Sequence, residues 1–190
     1  MTRCPVVRPA TDADLPALLE LWGELRELGG RARGALSPVP ATVAARVAAA
    51  LADLDRRVVL ASVDGEPAGM AVLASVAVGP FSDARAVQVD YLVVAARHRH
   101  RGVGRALLAA AAGYADDVGV DQVLVSVHPA LRDANRFFAR LGFTPLVVRR
   151  VAPVALLRRR LGTVEPRPTV LRDLVRRRSQ RDRWIPVARG

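Results

Sequence analysis

The segment RHRHRGVGRALL, residues 97–108, combines positive charge with glycine in a way that suits the binding of an anion. Glycine lets the backbone approach a ligand closely and adopt a positive φ, and the arginine side chains add positive charge. An apolar segment precedes these residues and a helical pattern follows them, so the first N–H groups of a helix would face the same anion. The segment therefore predicts a phosphate site. The alternative is an ordinary strand-to-helix turn in which glycine serves tight packing.

Two common phosphate loops are excluded by the residues present. The loop G-x-x-x-x-G-K-[ST] requires a lysine, and all 29 basic residues of this chain are arginines. The dinucleotide motif G-x-G-x-x-G requires a third glycine, and Leu107 stands at that position. The predicted anion site is therefore of another type.

The apolar strand before this loop carries one acid, within AVQVDYLVV at residues 86–94. Asp90 could accept a proton from an ammonium group, directly or through a water, as a general base. It could equally be a structural carboxylate that pairs with an arginine or bonds a neighbouring loop. Gln88 lies two residues earlier on the same strand face, where it could orient a water but could not accept its proton. Tyr91, the next residue, carries a hydroxyl that could donate a proton, so it is a further catalytic candidate.

His128, at the end of the next apolar strand, is a further candidate for acid or base, because histidine titrates near neutral pH. The alternative is a surface histidine before Pro129. His98 and His100 are expected to be solvated loop residues. No set of Cys, His, Asp and Glu residues has the spacing of a metal site, so no metal is predicted.

The periodicity of the apolar residues predicts the elements that must position these groups. The first helix begins at a cap at Thr11 or Asp12 and ends at Gly29. The other predicted helices span residues 42–54, 103–118 and 130–141. The predicted strands are residues 4–8, 57–63, 68–78, 86–94, 122–127 and 143–151. A hairpin that precedes a βαβ unit predicts an α/β fold around a mixed sheet.

Two motifs, in order and on the expected elements, resemble those of the GNAT superfamily, the general-control-related N-acetyltransferases. RHRGVG at residues 99–104 matches Q/R-x-x-G-x-G/A after the apolar triplet LVV at 92–94. ANRFFARLGF at residues 134–143 resembles A-x-x-F-Y-x-x-x-G-F. The segment VVRPATDADLPALLELW is similar to the usual first strand and helix, so the resemblance covers residues 5–151. It implies a GNAT-like, splayed mixed sheet with helices on both faces.

The resemblance also implies how acetyl-CoA is held. In this superfamily the loop binds the pyrophosphate, mainly through main-chain N–H groups, which assigns that role to Arg99, His100, Arg101, Gly102, Val103, Gly104 and Arg105. The strand before the loop separates from the strand at 123–127, and its free backbone groups pair with pantetheine as an added strand would. The residues implied for this pairing are Leu92, Val93 and Val94. The thioester would then lie near Asp90 and Tyr91, and Gln88 stands where some members carry a catalytic glutamate.

Two positions depart from the superfamily pattern. Phe138 replaces a tyrosine that often protonates the departing thiolate, and phenylalanine has no proton to donate. Leu131 replaces an asparagine that often lies near pantetheine. Asn135 lies four residues further along the same helix face and could stand in for the missing amide. Neither replacement removes apolar packing against the cofactor, so cofactor binding is better supported than catalysis.

The function implied by the resemblance is N-acetyl transfer, in which an acetyl or short acyl group passes from acyl-CoA to a primary amine by direct transfer. Acetyl-CoA is the donor substrate. The alternative is a non-catalytic acyl-CoA-binding module, regulatory or associated with nucleic acid. The acceptor depends in this superfamily on the first helices and the loop between them, here about residues 28–42, and that segment has no readable specificity.

Composition and cysteine content limit the class of protein and the cellular compartment that the sequence allows. Hydrophobic residues make up 51% of the chain, which is typical of a folded domain. A single cysteine, Cys4, excludes an internal disulfide, and the first residues lack the apolar stretch of a secretory signal. No apolar run reaches about 18 residues without a charge, so no membrane segment is predicted. The predicted location is the cytoplasm.

The net charge of +11 is concentrated at the C-terminal end, where residues 149–190 contain 13 of the 29 arginines. This predicts a GNAT-like acyl-CoA-binding domain at 1–152 and an Arg-rich helical extension at 153–190. Apolar residues within 170–175 suit one helical face, which we expect to dock on the domain or on a second subunit to form a homodimer. Nucleic acid is the less favoured partner, because Trp184 alone among these arginines could stack on a base.

Overall fold

The structure is a computed structural model that describes residues 4–29, 42–79 and 81–162. Its strands are β1 Val6–Pro9, β2 Arg56–Val63, β3 Glu66–Ala77, β4 Arg85–Val94 and β5 Val123–Val125. Its helices are α1 Leu15–Gly29, α2 Val43–Ala52, α3 Val103–Asp117, α4 Arg132–Arg140 and α5 Val154–Leu161. The predicted α/β class is confirmed, and element ends differ from prediction by a few residues, as fraying ends usually do.

The five strands form one open sheet in chain order. Strands β1 to β4 are antiparallel neighbours, whereas β5 pairs with β4 in parallel. A parallel neighbour requires a crossover, which α3 provides between β4 and β5. The sheet is therefore mixed, as predicted.

Two apolar layers cover the faces of this sheet. On one face Val103 and Leu107 of α3 pack with Leu73, Val87 and Val89 of the sheet. On the other face Leu18 and Leu21 of α1 and Val47 of α2 belong to a cluster with Leu60, Met70 and Val93 of the sheet. Side chains alternate along a strand, so Gln88 and Asp90 face the α1/α2 side, opposite the neighbouring Val87 and Val89.

A β-bulge interrupts the ladder between β3 and β4. Between the pairs Met70–Val93 and Val72–Asp90, β3 contains one residue and β4 contains two. The first of these two, Tyr91, has φ 51, which is uncommon for a residue other than glycine. A bulge places two successive side chains toward one face, and Tyr91 lines the same cavity as Val72, the partner of Asp90. The bulge thus brings Asp90 and Tyr91 onto a common face.

The turn that leads into α1 is held by one carboxylate, Asp14. Its oxygens accept bonds from the Arg8 guanidinium at 2.7 Å and from the Thr11 backbone N–H at 2.8 Å. The hydrogen bond from Arg8, followed by that from Thr11, holds the pKa of Asp14 well below its ordinary value of 3.8. This carboxylate ties β1 to the start of α1.

We expect Asp14→Asn to lower the free energy of unfolding at neutral pH by about 1–2 kcal/mol, the range for loss of a capping interaction. Because folding lowers this pKa, the stability is present above about pH 4 and is lost as pH falls toward the folded-state pKa. Denaturant unfolding should therefore show the gap between wild type and variant narrowing in acid. Asp12→Asn, in the same turn, should change little at either pH, and a gap that is constant with pH would contradict the assignment.

A second compact unit begins at Gly142, and α5 is its described helix. The prediction of a strand at 143–151 is wrong, since no strand forms there. Its apolar triplet, residues 146–148, is 65–73% exposed, and β-propensity stabilises a strand only where side chains pack on neighbours. Pro145 also lacks the N–H that a ladder needs. The helical pattern at 170–175 lies outside the described residues, and the division at residue 152 stays a prediction.

Candidate active site

The predicted anion-binding loop ends at the N-terminus of α3. Gly102 precedes the helix with φ 82, a left-handed conformation that suits glycine, and its carbonyl accepts the N–H of Ala106 at 3.0 Å. The N–H groups of residues 103–105 therefore have no partner within the helix. Three arginines within or next to this turn are exposed, namely Arg99, Arg101 and Arg105. Free N–H groups, the helix dipole and arginine charge thus meet at one place, as an anion site requires.

The other predicted loop residues differ in burial. His100 is exposed with φ 62, whereas Val103 is 1% exposed and belongs to the core under α3. Gly104 lies against Phe137, because an added Cβ would be 3.2 Å from the Phe137 ring. Side-chain bulk at Gly104 would therefore press on α4, so glycine here serves packing as well as access to the backbone.

Strand β4 separates from β5 halfway along its length. The last parallel pair is Val89–Val125, and β4 continues to Val94. Within the described ranges, no strand pairs with the β5 side of Leu92, Val93 and Val94. Backbone groups on such an edge can bond to an extended ligand in the manner of an added strand. The predicted splay of the sheet is confirmed.

Asp90 and Gln88 contact each other beside this opening. The Gln88 amide Nε2 donates to Asp90 Oδ1 at 3.2 Å and to Ser126 Oγ at 3.2 Å. Both side chains are partly buried. In the part of the chain that the structure describes, no arginine forms an ion pair with Asp90. The foreseen structural pairing of Asp90 with an arginine is therefore not seen, while Gln88 fixes the orientation of the carboxylate.

A cavity of about 430 Å³ lies between α1, α2 and the sheet face that carries Asp90. Its volume falls within the range of about 300–1,000 Å³ for small-molecule sites. Trp22 of α1, Arg46 of α2 and Val72 of β3 are among its walls, and Tyr91 lines it at β4. Tyr91 is 46% exposed. Tyr91 therefore lines the cavity at the point in β4 where the open edge at residues 92–94 begins.

His128 and Asn135 both hold the turn before α4. His128 Nδ1 accepts the N–H of Ala130 at 3.1 Å, which leaves Nε2 as the protonated nitrogen of a neutral ring. The Asn135 amide donates to the carbonyls of His128 at 3.1 Å and Leu131 at 2.8 Å. Both donors of Asn135 thus bond to the backbone, which leaves its amide oxygen as the atom that could accept a further hydrogen bond.

Phe138 is 8% exposed, and its ring meets Phe137 edge to face with centroids 5.2 Å apart. It supplies apolar packing between α4 and the rest of the domain. The sequence singled out Phe138 but not Phe137, which is the ring that covers Gly104. Phe137 and Phe138 are consecutive in the sequence, so helical periodicity alone did not indicate which ring would contact the loop.

A short helical turn, Ala96–His98, joins β4 to the loop and is bonded to α1. Glu24 Oε2 accepts the Ala96 N–H at 2.8 Å, and Glu20 Oε1 lies 3.4 Å from the Arg97 guanidinium. Neither glutamate was predicted to matter. The available signal was their spacing of four residues, which places both on one face of α1.

His98 is buried, contrary to the prediction of a solvated loop residue. It is 5% exposed, because the turn directs it inward after the buried Ala95. Neither ring nitrogen has a hydrogen-bond partner among the described residues, and Nε2 lies 3.6 Å from Glu66 Oε2. The ring therefore packs beneath the start of the loop as a structural residue.

Comparison with family models gives a direct match. The model of the acetyltransferase (GNAT) family matches residues 22–143, which is more than half of the chain. The chain belongs to the GNAT family. The match includes the loop, the open strand and α4 of this GNAT protein. Comparison with curated protein sequences found no match.

Solved structures share the GNAT fold with this chain. A transcriptional regulator from Bacillus halodurans C-125 is 18% identical with a TM-score of 0.65, over 78% of this chain and 99% of that one. Ribosomal-protein-alanine N-acetyltransferase from Brucella melitensis is 18% identical with a TM-score of 0.62, over 80% and 99%. Aminoglycoside N-acetyltransferase AAC(6')-Iy, in complex with CoA, is 17% identical with a TM-score of 0.66, over 80% and 95%. At these identities the likeness shows the fold.

Metal-ligand clusters and membrane-spanning helices are both absent from the described residues. No group of three or more His, Cys, Asp and Glu side chains there could hold a metal ion. No helix within those ranges has both the length and the apolar character needed to cross a bilayer.

Proposed function

We propose that this GNAT protein transfers an acetyl or other short acyl group from acyl-CoA to a primary amine by direct attack. The amine nitrogen bonds to the thioester carbon, the C–S bond breaks, and CoA leaves as a thiolate. The observation that carries the proposal is that the groups needed for binding and chemistry lie in order along β4, the loop after it and α3. Asp90, the open edge at 92–94 and the free N–H groups at 103–105 follow one another along it. A cavity adjoins the same point at Tyr91.

The donor is proposed to bind along this unit. Its pyrophosphate accepts bonds from the N–H groups at the start of α3, with Arg101 and Arg105 beside it. Its pantetheine amides pair with the open edge of β4, which directs the thioester toward Asp90 and Tyr91. Membership of the GNAT family and the CoA complex of the aminoglycoside N-acetyltransferase support acyl-CoA as the donor.

The acceptor is proposed to enter through the cavity, with its nitrogen near Asp90. An alkylammonium with pKa about 10 is mostly protonated at neutral pH, so a base must remove a proton before attack. Asp90, oriented by Gln88, is the proposed base. After attack the nitrogen loses a second proton to water as the C–S bond breaks, and the thiolate can receive a proton from Tyr91, from His128 Nε2 or from water. A thiol with pKa about 8.5 is also a tolerable leaving group unaided.

Phe138 favours a second candidate function, a non-catalytic acyl-CoA-binding module. A buried phenylalanine at this position supplies packing but no proton. Such a module would keep the anion loop and the open strand and would lack turnover. The homodimer, the cytoplasmic location and the role of the extension at 153–190 stay predictions.

Two measurements on the full chain separate these candidates. Calorimetry should show binding of CoA and acetyl-CoA, and each should stabilise the fold, by about 2.7 kcal/mol at a concentration 100 times its Kd. Release of free thiol from acetyl-CoA should then depend on an added amine. Binding without thiol release for every amine tested would favour the non-catalytic module, and the absence of binding would overturn both.

A further inference from the structure

The cavity beside Tyr91 contains one positive charge that no acid of the described residues neutralises. Three charged residues line it, namely Arg46, Asp53 and Arg56. Asp53 and Arg56 neutralise each other through an ion pair of 3.0 Å. Arg46 is exposed, and no acid of the described residues pairs with it. The cavity therefore carries a net charge of about one positive unit.

The segment between α1 and α2 does not offer a counter-ion for Arg46. Residues 30–41 lie outside the described ranges, but their sequence, GRARGALSPVPA, contains two arginines and no acid. The neighbouring helix α2 is VAARVAAALA, which is equally free of acids. Neither this segment nor α2 therefore contains an acid that could pair with Arg46.

The rest of the cavity wall is apolar or aromatic. Leu18 and Trp22 of α1 face Val58 and Val72 of the sheet, with Tyr91 at the β4 end. Such walls favour an occupant with an apolar body and strengthen any charge pairing inside. An arginine fork pairs with a carboxylate through two parallel bonds, so the free cation selects an anionic group.

We infer that the acceptor of this protein is an amine with an apolar body and one anionic group such as a carboxylate, held by Arg46. This inference rests on the proposed function and narrows its acceptor. The amine lies at the β4 end beside Asp90 and Tyr91, and the anion lies at α2. Acceptors with several positive charges are disfavoured, because like charges repel in a cavity that already carries a cation.

Matched acceptors test the role of the anion. 6-Aminohexanoate, 6-aminohexanamide and hexylamine share the apolar body and the amine, and the first alone carries a carboxylate, at the end opposite the amine; 4-(aminomethyl)benzoate, 4-(aminomethyl)benzamide and benzylamine form an aromatic set. We expect Arg46→Gln to lower kcat/KM for the amino acids by about 10- to 100-fold, the range for loss of a charge-assisted hydrogen bond. The neutral analogues should change by less than about twofold. Comparing each acceptor with itself cancels differences in amine basicity.

Two control variants and one binding measurement complete the test. Arg46→Lys should retain part of the preference, and Arg140→Gln, which removes an exposed cation from α4, should leave all acceptors unchanged. Calorimetric titration of the CoA-loaded protein with each amino acid gives a readout that does not need turnover. Turnover or binding without preference for the carboxylate, or equal losses for all acceptors in Arg46→Gln, would overturn the inference. Failure of CoA to bind would instead overturn the proposed function.

Discussion

Replacing Gly102 with valine is expected to weaken CoA binding by at least about 100-fold, or roughly 2.7 kcal/mol. Gly102 has φ 82 at the start of α3, and L-residues pay about 1–2 kcal/mol in this region, with β-branched residues among the worst. The loop must therefore change conformation, which turns the first N–H groups of α3 away from the pyrophosphate. Calorimetry with CoA measures the effect, and circular dichroism checks that the variant is folded.

Gly113→Val is the matched control, since it makes the same glycine-to-valine change inside the helix that Gly102 precedes. An added Cβ at Gly113 meets no atom within 4 Å, and its φ is not positive. Valine is at least as favourable as glycine inside a helix, so neither fold nor CoA affinity should suffer. A folded Gly102→Val protein with unchanged CoA affinity would show that the loop does not hold the pyrophosphate.

Asp90→Asn should lower kcat by about 100-fold or more, the usual size of a general-base effect, with CoA affinity nearly unchanged. Asparagine keeps an oxygen that can accept the Gln88 amide, so the local structure should persist. As pH rises toward the amine's pKa of about 10, more acceptor is neutral and the defect should shrink. The measurement is a pH–rate profile for both proteins.

Asp116→Asn controls for the loss of one acid, because Asp116 is exposed near the other end of α3, about 20 Å from the loop by helix length. Its rate should match wild type at every pH. If a folded Asp90→Asn protein kept full turnover, Asp90 would be structural. The proton would then leave through a water held by Gln88.

Local rules were enough to predict the residues that we propose to face a common ligand. Gly102 stood between an apolar strand and a helix, and the period of two placed Gln88 and Asp90 on one face. Both arrangements depend on neighbours in sequence. The loop and the strand acid could therefore be identified before any tertiary contact was known.

The features that sequence reasoning missed depend on distant partners. No glycine or proline at Tyr91 or its two neighbours indicates the bulge in the sequence. The bulge is a property of how β4 pairs with β3, and this pairing is not visible in the sequence of β4 alone. The burial of His98 depends on the turn that the bonds to α1 hold in place. Residues 143–151 have the composition of a strand, but a strand needs a neighbour to pair with. Periodicity contains none of this information.

Helix α1 takes part in both halves of the candidate site. Its Glu24 holds the turn that leads into the anion loop, and its Trp22 forms a wall of the cavity. A displacement of α1 that fits the cavity to an acceptor would also move the turn from which α3 begins. The two ligands would then be thermodynamically coupled, and each would alter the affinity for the other by the same factor. A donor analogue should therefore be measured both with and without acceptor, since the difference is the free energy that α1 transmits.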